Sequence, residues 1–362
     1  MENFLSDSSY SFYSQEIAQQ PDLFRSFHQN AERQIREIAR MMEEQKIEKV
    51  LCMGCGDAYA NAMFGAQCWN DLCGESVYAE AVEPFELLHR QETISEHTAI
   101  IICSVKGRSK LVLDALEPIR ERTFLIAITN EPQSPIARQS DRIIELCAGS
   151  WIGPRTKVYT LTSYALLLLA AACAHCEEAW EQTAVLGDQA EKLLKQEESW
   201  RTLTDGCTES AGVTLVAYGR NISTAYMGRA KCKEVLRWEA NLYQIEEFAH
   251  TETVAPALGR YTIFCCEESP LLARVGEVIR IAQDQLERRV VVVSNRQTWE
   301  NLQNQGLHCP HIIVPGNEKV SEPILQSIAI QILPFYIARR LGIDPDHPPL
   351  REMARKTAFV EK

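Results

Sequence analysis

Short apolar runs rich in β-branched residues recur along the chain, each flanked by longer stretches with helical spacing. The runs at 50–53, ending at Cys103, at 124–129, 214–218, 263–266 and 290–294 read as strands. Residues 13–45, 58–73, 113–120, 158–173 and 271–286 read as helices. The first of these helices is amphipathic, whereas 158–173 is almost wholly apolar. That run carries Thr160, Thr162, Ser163 and Tyr164, so it falls short of a membrane span and reads as a buried helix. The order of elements repeats. Asn130 and Asn295, each closing a strand, lie 165 residues apart, and the two turn entries at Met53 and Ala217 lie 164 apart. Strand and helix alternation of this kind predicts parallel sheets covered on both faces. The expected organisation is an N-terminal helical segment (1–47), a first α/β domain (48–176), a helical linker (177–209), a second α/β domain (210–342) and a C-terminal tail (343–362).

Composition narrows the function. The chain has 362 residues, 46% of them hydrophobic, enough for two cores, and a formal net charge of −12. Nucleic acid and an anionic membrane surface are therefore disfavoured as main partners, and a bound anion needs a local basic pocket. The first residues show no basic segment followed by an apolar stretch, so no secretory signal is expected. Thirteen cysteines, many inside apolar strands, suggest reduced thiols and a cytoplasmic setting. Cys52-Met53-Gly54-Cys55 and Cys173-Ala174-His175-Cys176 have no second pair at zinc-site spacing, and His308-Cys309-Pro310-His311 reads as a turn entering a strand. Neither a metal nor a cofactor is expected.

Candidate chemistry is concentrated in Lys231-Cys232-Lys233-Glu234, followed by Glu239, Tyr243, Glu247 and, sixteen residues after Glu234, His250. A carboxylate, an imidazole and amines are what moving a proton between adjacent sugar carbons requires. Lys231, three residues before Glu234 on one helical face, would keep that carboxylate ionised. Taken alone, the pair is equally an ordinary surface contact worth a few tenths of a kcal/mol. Gly54-Cys55-Gly56, between a strand and a helix, would let backbone N–H groups approach an anion.

Further words stand in a fixed order: Ala81-Val82-Glu83, Ser104-Val105-Lys106-Gly107-Arg108-Ser109, Ile128-Thr129-Asn130, the stretch 134–141, and Gly342-Ile343-Asp344-Pro345 leading to Lys356. Together with the Lys231–Glu234 word they resemble the sugar isomerase (SIS) family over nearly the whole chain. The likeness is to double-domain members, the isomerase half of glutamine:fructose-6-phosphate aminotransferase and the fructosamine-6-phosphate deglycases.

The resemblance implies two tandem SIS domains, each a parallel sheet flanked by helices. It also implies a phosphosugar-processing enzyme that transfers a proton at C1/C2 of a C6-anionic ketose or amino-ketose, as isomerase or deglycase. Glu234 would be the base, Lys231 its cation, His250 the ring-opening group and Lys356 an imine-forming amine. His250 would reach the neighbour's pocket, so the partner would be a second copy in a homodimer with shared sites. The anion would be held by Gly54, Cys55, Gly56, Ser104, Ser109 and Thr156, helped by Lys106, Arg108 and Arg155, which replace the family's small or hydroxyl residues. The stretch 238–248 reads as helix-like, with Leu242, Ile245 and Phe248 available to the partner. Asp57, Met227 and His250-Thr251-Glu252 depart from the family pattern, Met227 standing in place of a second glutamate. A phosphosugar-binding regulatory module without turnover, or an isomerase of a sugar with another C6 anion such as sulfonate, are the alternatives. No glutaminase domain with a leading cysteine and no helix-turn-helix is read in the sequence.

Overall fold

The computed structural model describes residues 11–91, 94–150, 152–204, 212–254, 259–316 and 319–347. Among them, two compact units form. The first comprises 22–150 and 157–184, the second 11–21, 152–156 and 185–347. Each is built on a five-stranded, all-parallel sheet.

In the first unit the strands are β1 (Lys49–Met53), β2 (Tyr78–Val82), β3 (Thr98–Cys103), β4 (Phe124–Thr129) and β5 (Arg142–Glu145), in the spatial order β2-β1-β3-β4-β5. β3 and β4 are buried at every position, as expected of strands covered on both faces. The Asp57–Cys73 and Lys157–Cys173 helices pack together, with the Asn61 amide donating to the Tyr159 carbonyl (2.9 Å) and the Ser163 hydroxyl (2.8 Å). Lys157–Cys173 is the expected buried helix, and no helix among the described residues is long and apolar enough to cross a membrane.

The second unit repeats the plan with β6 (Val213–Ala217), β7 (Ala240–Gln244), β8 (Tyr261–Cys265), β9 (Arg289–Asn295) and β10 (His311–Val314), in the order β10-β9-β8-β6-β7. Read from the other edge, this is the order of the first sheet. The Asn221–Lys231 helix lies so close to Glu322–Arg340 that a Cβ on Gly228 would come within 2.5 Å of Ile330 Cγ2 and of Leu215 Cδ2. Only glycine allows that approach. Phe12–Ala18 is tied into this unit by its first two amides, Phe12 and Tyr13, which donate to the Asp346 carboxylate at 2.8 and 2.9 Å.

Two sequence expectations change. The stretch 13–45 is two helices, Phe12–Ala18 and Gln20–Glu44, and 238–248 is not helix-like throughout. Residues 240–244 form edge strand β7, paired in parallel with β6, and the helix begins only at Ile245. Phe248 is fully buried, edge-on to Phe264 at 5.6 Å between ring centroids, and so is not available to a partner. The apolar spacing that suggested one helix face falls on half-buried Leu242 in an edge strand and on Ile245 and Phe248 in the helix that follows.

Candidate active site

The Asn221–Lys231 helix runs directly into a π-helical turn, Cys232–Leu236, stopped by Arg237 in the left-handed region at φ 62°. π-turns inside helices are concentrated at functional positions. Here the turn carries Glu234, whose carboxylate meets the Lys231 ammonium at 2.5 Å. The lysine side chain is fully buried, whereas the glutamate side chain is 41% exposed. An ordinary surface contact would leave both groups in water. Burying an ammonium is costly unless a counter-charge accompanies it.

Met227, one turn earlier on the same helix, is fully buried. It fills core volume where the resemblance led one to look for a second acid. His250 sits near the end of the Ile245–Thr251 helix with 79% of its side chain exposed, 3.7 Å from Glu246. Glu246 is also gripped by Arg274, whose hydrogen bond holds its carboxyl below the ordinary range. Lys356 lies outside the described residues.

The expected anion-binding residues fall into both units. In the first, Gly54, Cys55 and Gly56 join β1 to the Asp57–Cys73 helix, with Gly56 at φ 58° and Asp57 as the first, buried helical residue. The Cys55 thiol lies 3.9 Å from Glu83, whose other oxygen accepts from the Phe85 amide. Ser104 follows β3, and Ser109 stands at the start of Lys110–Leu116 without capping it. Both are half-buried, and their hydroxyls make no hydrogen bond to a described residue. The loop between them is fastened to the segment after β4. Gly107, at φ 57°, donates to the Ser104 carbonyl and accepts from the Ile136 amide, and the Thr129 hydroxyl donates to the Val105 carbonyl. Lys106 is half-buried, and Arg108 is paired with Glu131 at 3.6 Å.

In the second unit, Arg155 is half-buried and forms no ion pair or hydrogen bond with a described residue. Thr156 is fully buried, and its hydroxyl donates to Glu16 at 3.2 Å. The other Glu16 oxygen accepts from the Ile152 amide at 2.6 Å. The single hydroxyl proton of Thr156 is thus committed to holding its own loop, which removes it from the anion donors in this arrangement.

Three groups were not picked out from the sequence. Glu16 is the first. Second is Glu322, opening the Glu322–Arg340 helix with only 3% exposure and accepting from the Asn295 amide and side chain and from Gln326. Burial, reinforced by the charge of Glu267, pushes its carboxyl up to about 7 against those hydrogen bonds. The 165-residue repeat offset places Glu322 opposite Lys157 (322 − 157 = 165), a signal present in the chain's own numbering. The third is a buried Arg288–Glu252 ion pair, which no sequence spacing announces. All twelve cysteines among the described residues are free thiols, and no group of three or more His, Cys, Asp or Glu side chains there could hold a metal ion.

Residues 43–172 match the family model for the SIS domain. Among characterised proteins, the chain is 26% identical over 332 residues to glutamine–fructose-6-phosphate aminotransferase (isomerizing) from Caldanaerobacter subterraneus subsp. tengcongensis, covering 88% of this chain and 52% of that protein. The chain thus spans about half the length of the curated relatives it matches. Among solved structures, it superposes on the C-terminal domain of glucosamine-fructose-6-phosphate aminotransferase from Francisella tularensis with a TM-score of 0.81 at 16% identity, over 95% of this chain and 99% of that one. Tagatose-6-phosphate ketose/aldose isomerase from Escherichia coli matches with a TM-score of 0.76 at 15% identity, over 94% and 98%. Residues 43–172 form an SIS domain. The chain resembles, in sequence, the aminotransferase over about half that protein's length and, in fold, that enzyme's C-terminal domain and a phosphosugar isomerase.

Proposed function

We propose that the chain is an enzyme that moves a proton between C1 and C2 of a ketose or amino-ketose bearing an anion at C6, as an isomerase or a deglycase. The observation that carries this is the fully buried Lys231 ammonium held 2.5 Å from a carboxylate that keeps 41% of its side chain accessible. A buried cation beside it favours the ionised form of Glu234, and a solvent-accessible carboxylate can take a proton from carbon. Ser104 and Ser109, whose hydroxyls make no hydrogen bond to a described residue, and Arg155, unpaired among the described residues, are assigned to the C6 anion. The names of the relatives, an aminotransferase that isomerises fructose 6-phosphate and a ketose/aldose isomerase, support the substrate class.

The test is NMR in deuterium oxide with fructose 6-phosphate, a fructosamine 6-phosphate and a 6-sulfo ketose. Deuterium appearing at C1 or C2, or release of amine, identifies the reaction and the preferred anion. Retention of every proton in all three sugars, with binding still measurable, favours instead a sugar-binding module without turnover. The buried Met227, in place of a second acid, is the observation on that side.

His250, exposed and outside the core, is assigned to ring opening in the pocket of a second copy. Mixing Glu234→Gln chains with His250→Ala chains should then restore up to roughly a quarter of wild-type sites, because about half of randomly paired dimers are mixed and each has one intact pocket. No recovery despite demonstrated subunit exchange removes the shared site.

A further inference from the structure

The helix that carries His250 has only seven residues, too short to hold its own direction in water. What holds its far end is unusual. Glu252, the C-cap, returns its amide to the Phe248 carbonyl at 3.0 Å and sends its carboxylate inward to Arg288. The Arg288 guanidinium is fully buried, and the Glu252 side chain is 12% exposed. Arg288 also donates to the Thr214 hydroxyl on β6 (3.3 Å) and the Thr262 hydroxyl on β8 (3.4 Å), and lies over the Phe248 ring, 5.0 Å from its centroid. The Tyr243 hydroxyl, on β7, donates to the same carboxylate, and that bond pushes the phenol up to about 12. Burial works against the ionised Glu252, but Tyr243 and Arg288 outweigh it and hold the carboxyl below its ordinary range.

One guanidinium therefore ties the end of the His250 helix to two strands of the sheet and to an aromatic side chain of that helix. Hydrophobic residues at these positions would close the core without the desolvation cost of a buried cation, so stability alone is a poor reason for the pair. We propose that Glu252 and Arg288 are positioning residues for His250, setting the direction in which the short helix presents its exposed imidazole. This rests on the assignment of His250 to ring opening. It also gives a use to the glutamate that stands two residues after the histidine in this chain.

Arg288→Lys keeps the charge but loses the fork that reaches Glu252, Thr214 and Thr262 together. Glu252→Gln keeps the shape and one accepting oxygen but removes the charge and the second acceptor. Two readouts are needed. Hydrogen exchange of peptide 245–254 in the ligand-free chain should rise about tenfold in Arg288→Lys, with β3 and β4 unchanged and Glu252→Gln falling between it and wild type. Turnover of fructose 6-phosphate, which must open its ring, should fall about tenfold or more in Arg288→Lys, while turnover of 5-deoxyfructose 6-phosphate, which cannot close one, stays within about twofold. Unchanged exchange overturns the tether. Raised exchange with equal losses on both sugars overturns the positioning role, because a general loss of structure does not discriminate between them. If the wild-type chain turns over neither sugar, the ring-opening assignment falls, and the exchange result alone decides whether the tether exists.

Discussion

The two sheets share one strand order, yet the loops at their C-terminal ends carry opposite chemistry. Beyond β1, β3 and β4 stand unclaimed serine hydroxyls at 104 and 109, the cations Lys106 and Arg108, and a helix opened by Lys157. Beyond β6, β8 and β9 stand Tyr218, Glu267 and Asn295, and a helix opened by Glu322. Asn295 shows the change most clearly. Its counterpart Asn130 spends its side chain on backbone groups, donating to the Gly149 carbonyl and accepting from the Ala148 amide. Asn295 instead gives its amide and its side-chain NH2 to the Glu322 carboxylate. An internal carboxylate occupies donors at the second edge, whereas the Ser104 and Ser109 hydroxyls at the first edge make no hydrogen bond to a described residue. Duplicating a fold duplicates the loops' positions, but not what they bind.

The largest expected effect separates the chemical carboxylate from the structural one. Glu234→Gln should lower turnover by about a hundredfold or more, as loss of a positioned base does, with ligand binding retained. Glu322→Gln should leave turnover near wild type. Comparable losses in the two variants, measured by deuterium incorporation, would erase the distinction.

Next comes the anion. Arg155→Ala should raise the Michaelis constant for an anionic sugar by the equivalent of about 1.5 to 3 kcal/mol, the worth of a hydrogen bond to a charged group. Arg108→Ala should cost less, since Glu131 already neutralises that guanidinium. If Arg155→Ala binds normally while Ser109→Ala does not, hydroxyls rather than charge hold the anion.

The first edge also depends on backbone geometry. A Cβ at Gly107 would lie 1.8 Å from the Ser134 hydroxyl oxygen at φ 57°, whereas Gly56, at φ 58°, faces open space. Gly107→Ala should therefore destabilise by several kcal/mol, and Gly56→Ala by only about 1–2 kcal/mol of backbone strain. Denaturant unfolding that ranks them equally would mean the Gly107 loop moves freely.

The last effect is a pH dependence confined to the second edge. Glu322 has a folded-state carboxyl near 7 against an ordinary 4.5, so the folded protein binds its proton more tightly than the unfolded chain does. Stability from this group is greatest below about pH 4.5, declines as pH rises, and is fully lost above about pH 7. The total is on the order of 3 kcal/mol at most. In Glu322→Gln the decline between pH 5 and 8 should flatten. An unaltered slope would show that the carboxylate is better solvated than its 3% exposure suggests.

Legibility followed burial. The strands read from apolar runs, β1, β3, β4, β6, β8 and β9, are the interior strands of both sheets. The other four, β2, β5, β7 and β10, are the edges, where half-exposed positions break the run, as in the Arg142–Glu145 strand. Of these, β10 is legible only through the turn at 308–311 that leads into it, and the spacing of apolar residues in β7 mimics a helix. The same divide runs through the site. The spacing of Lys231 and Glu234 was visible because both lie on one short stretch of chain. The partner that claims Thr156 was not, because Glu16 is 140 residues away.

By itself the sequence determined the two-fold repeat, the parallel sheets and the residues that could carry chemistry, since local periodicity and motif order depend on neighbours along the chain. Tertiary structure decided which of those residues solvent can reach and which are committed to partners. Lys231 is buried and Glu234 accessible, Arg155 is unpaired among the described residues and Arg108 paired, and the Thr156 proton is committed to Glu16. Availability depends on desolvation and on competing partners, and both are set by groups far apart in sequence that meet only when the chain folds.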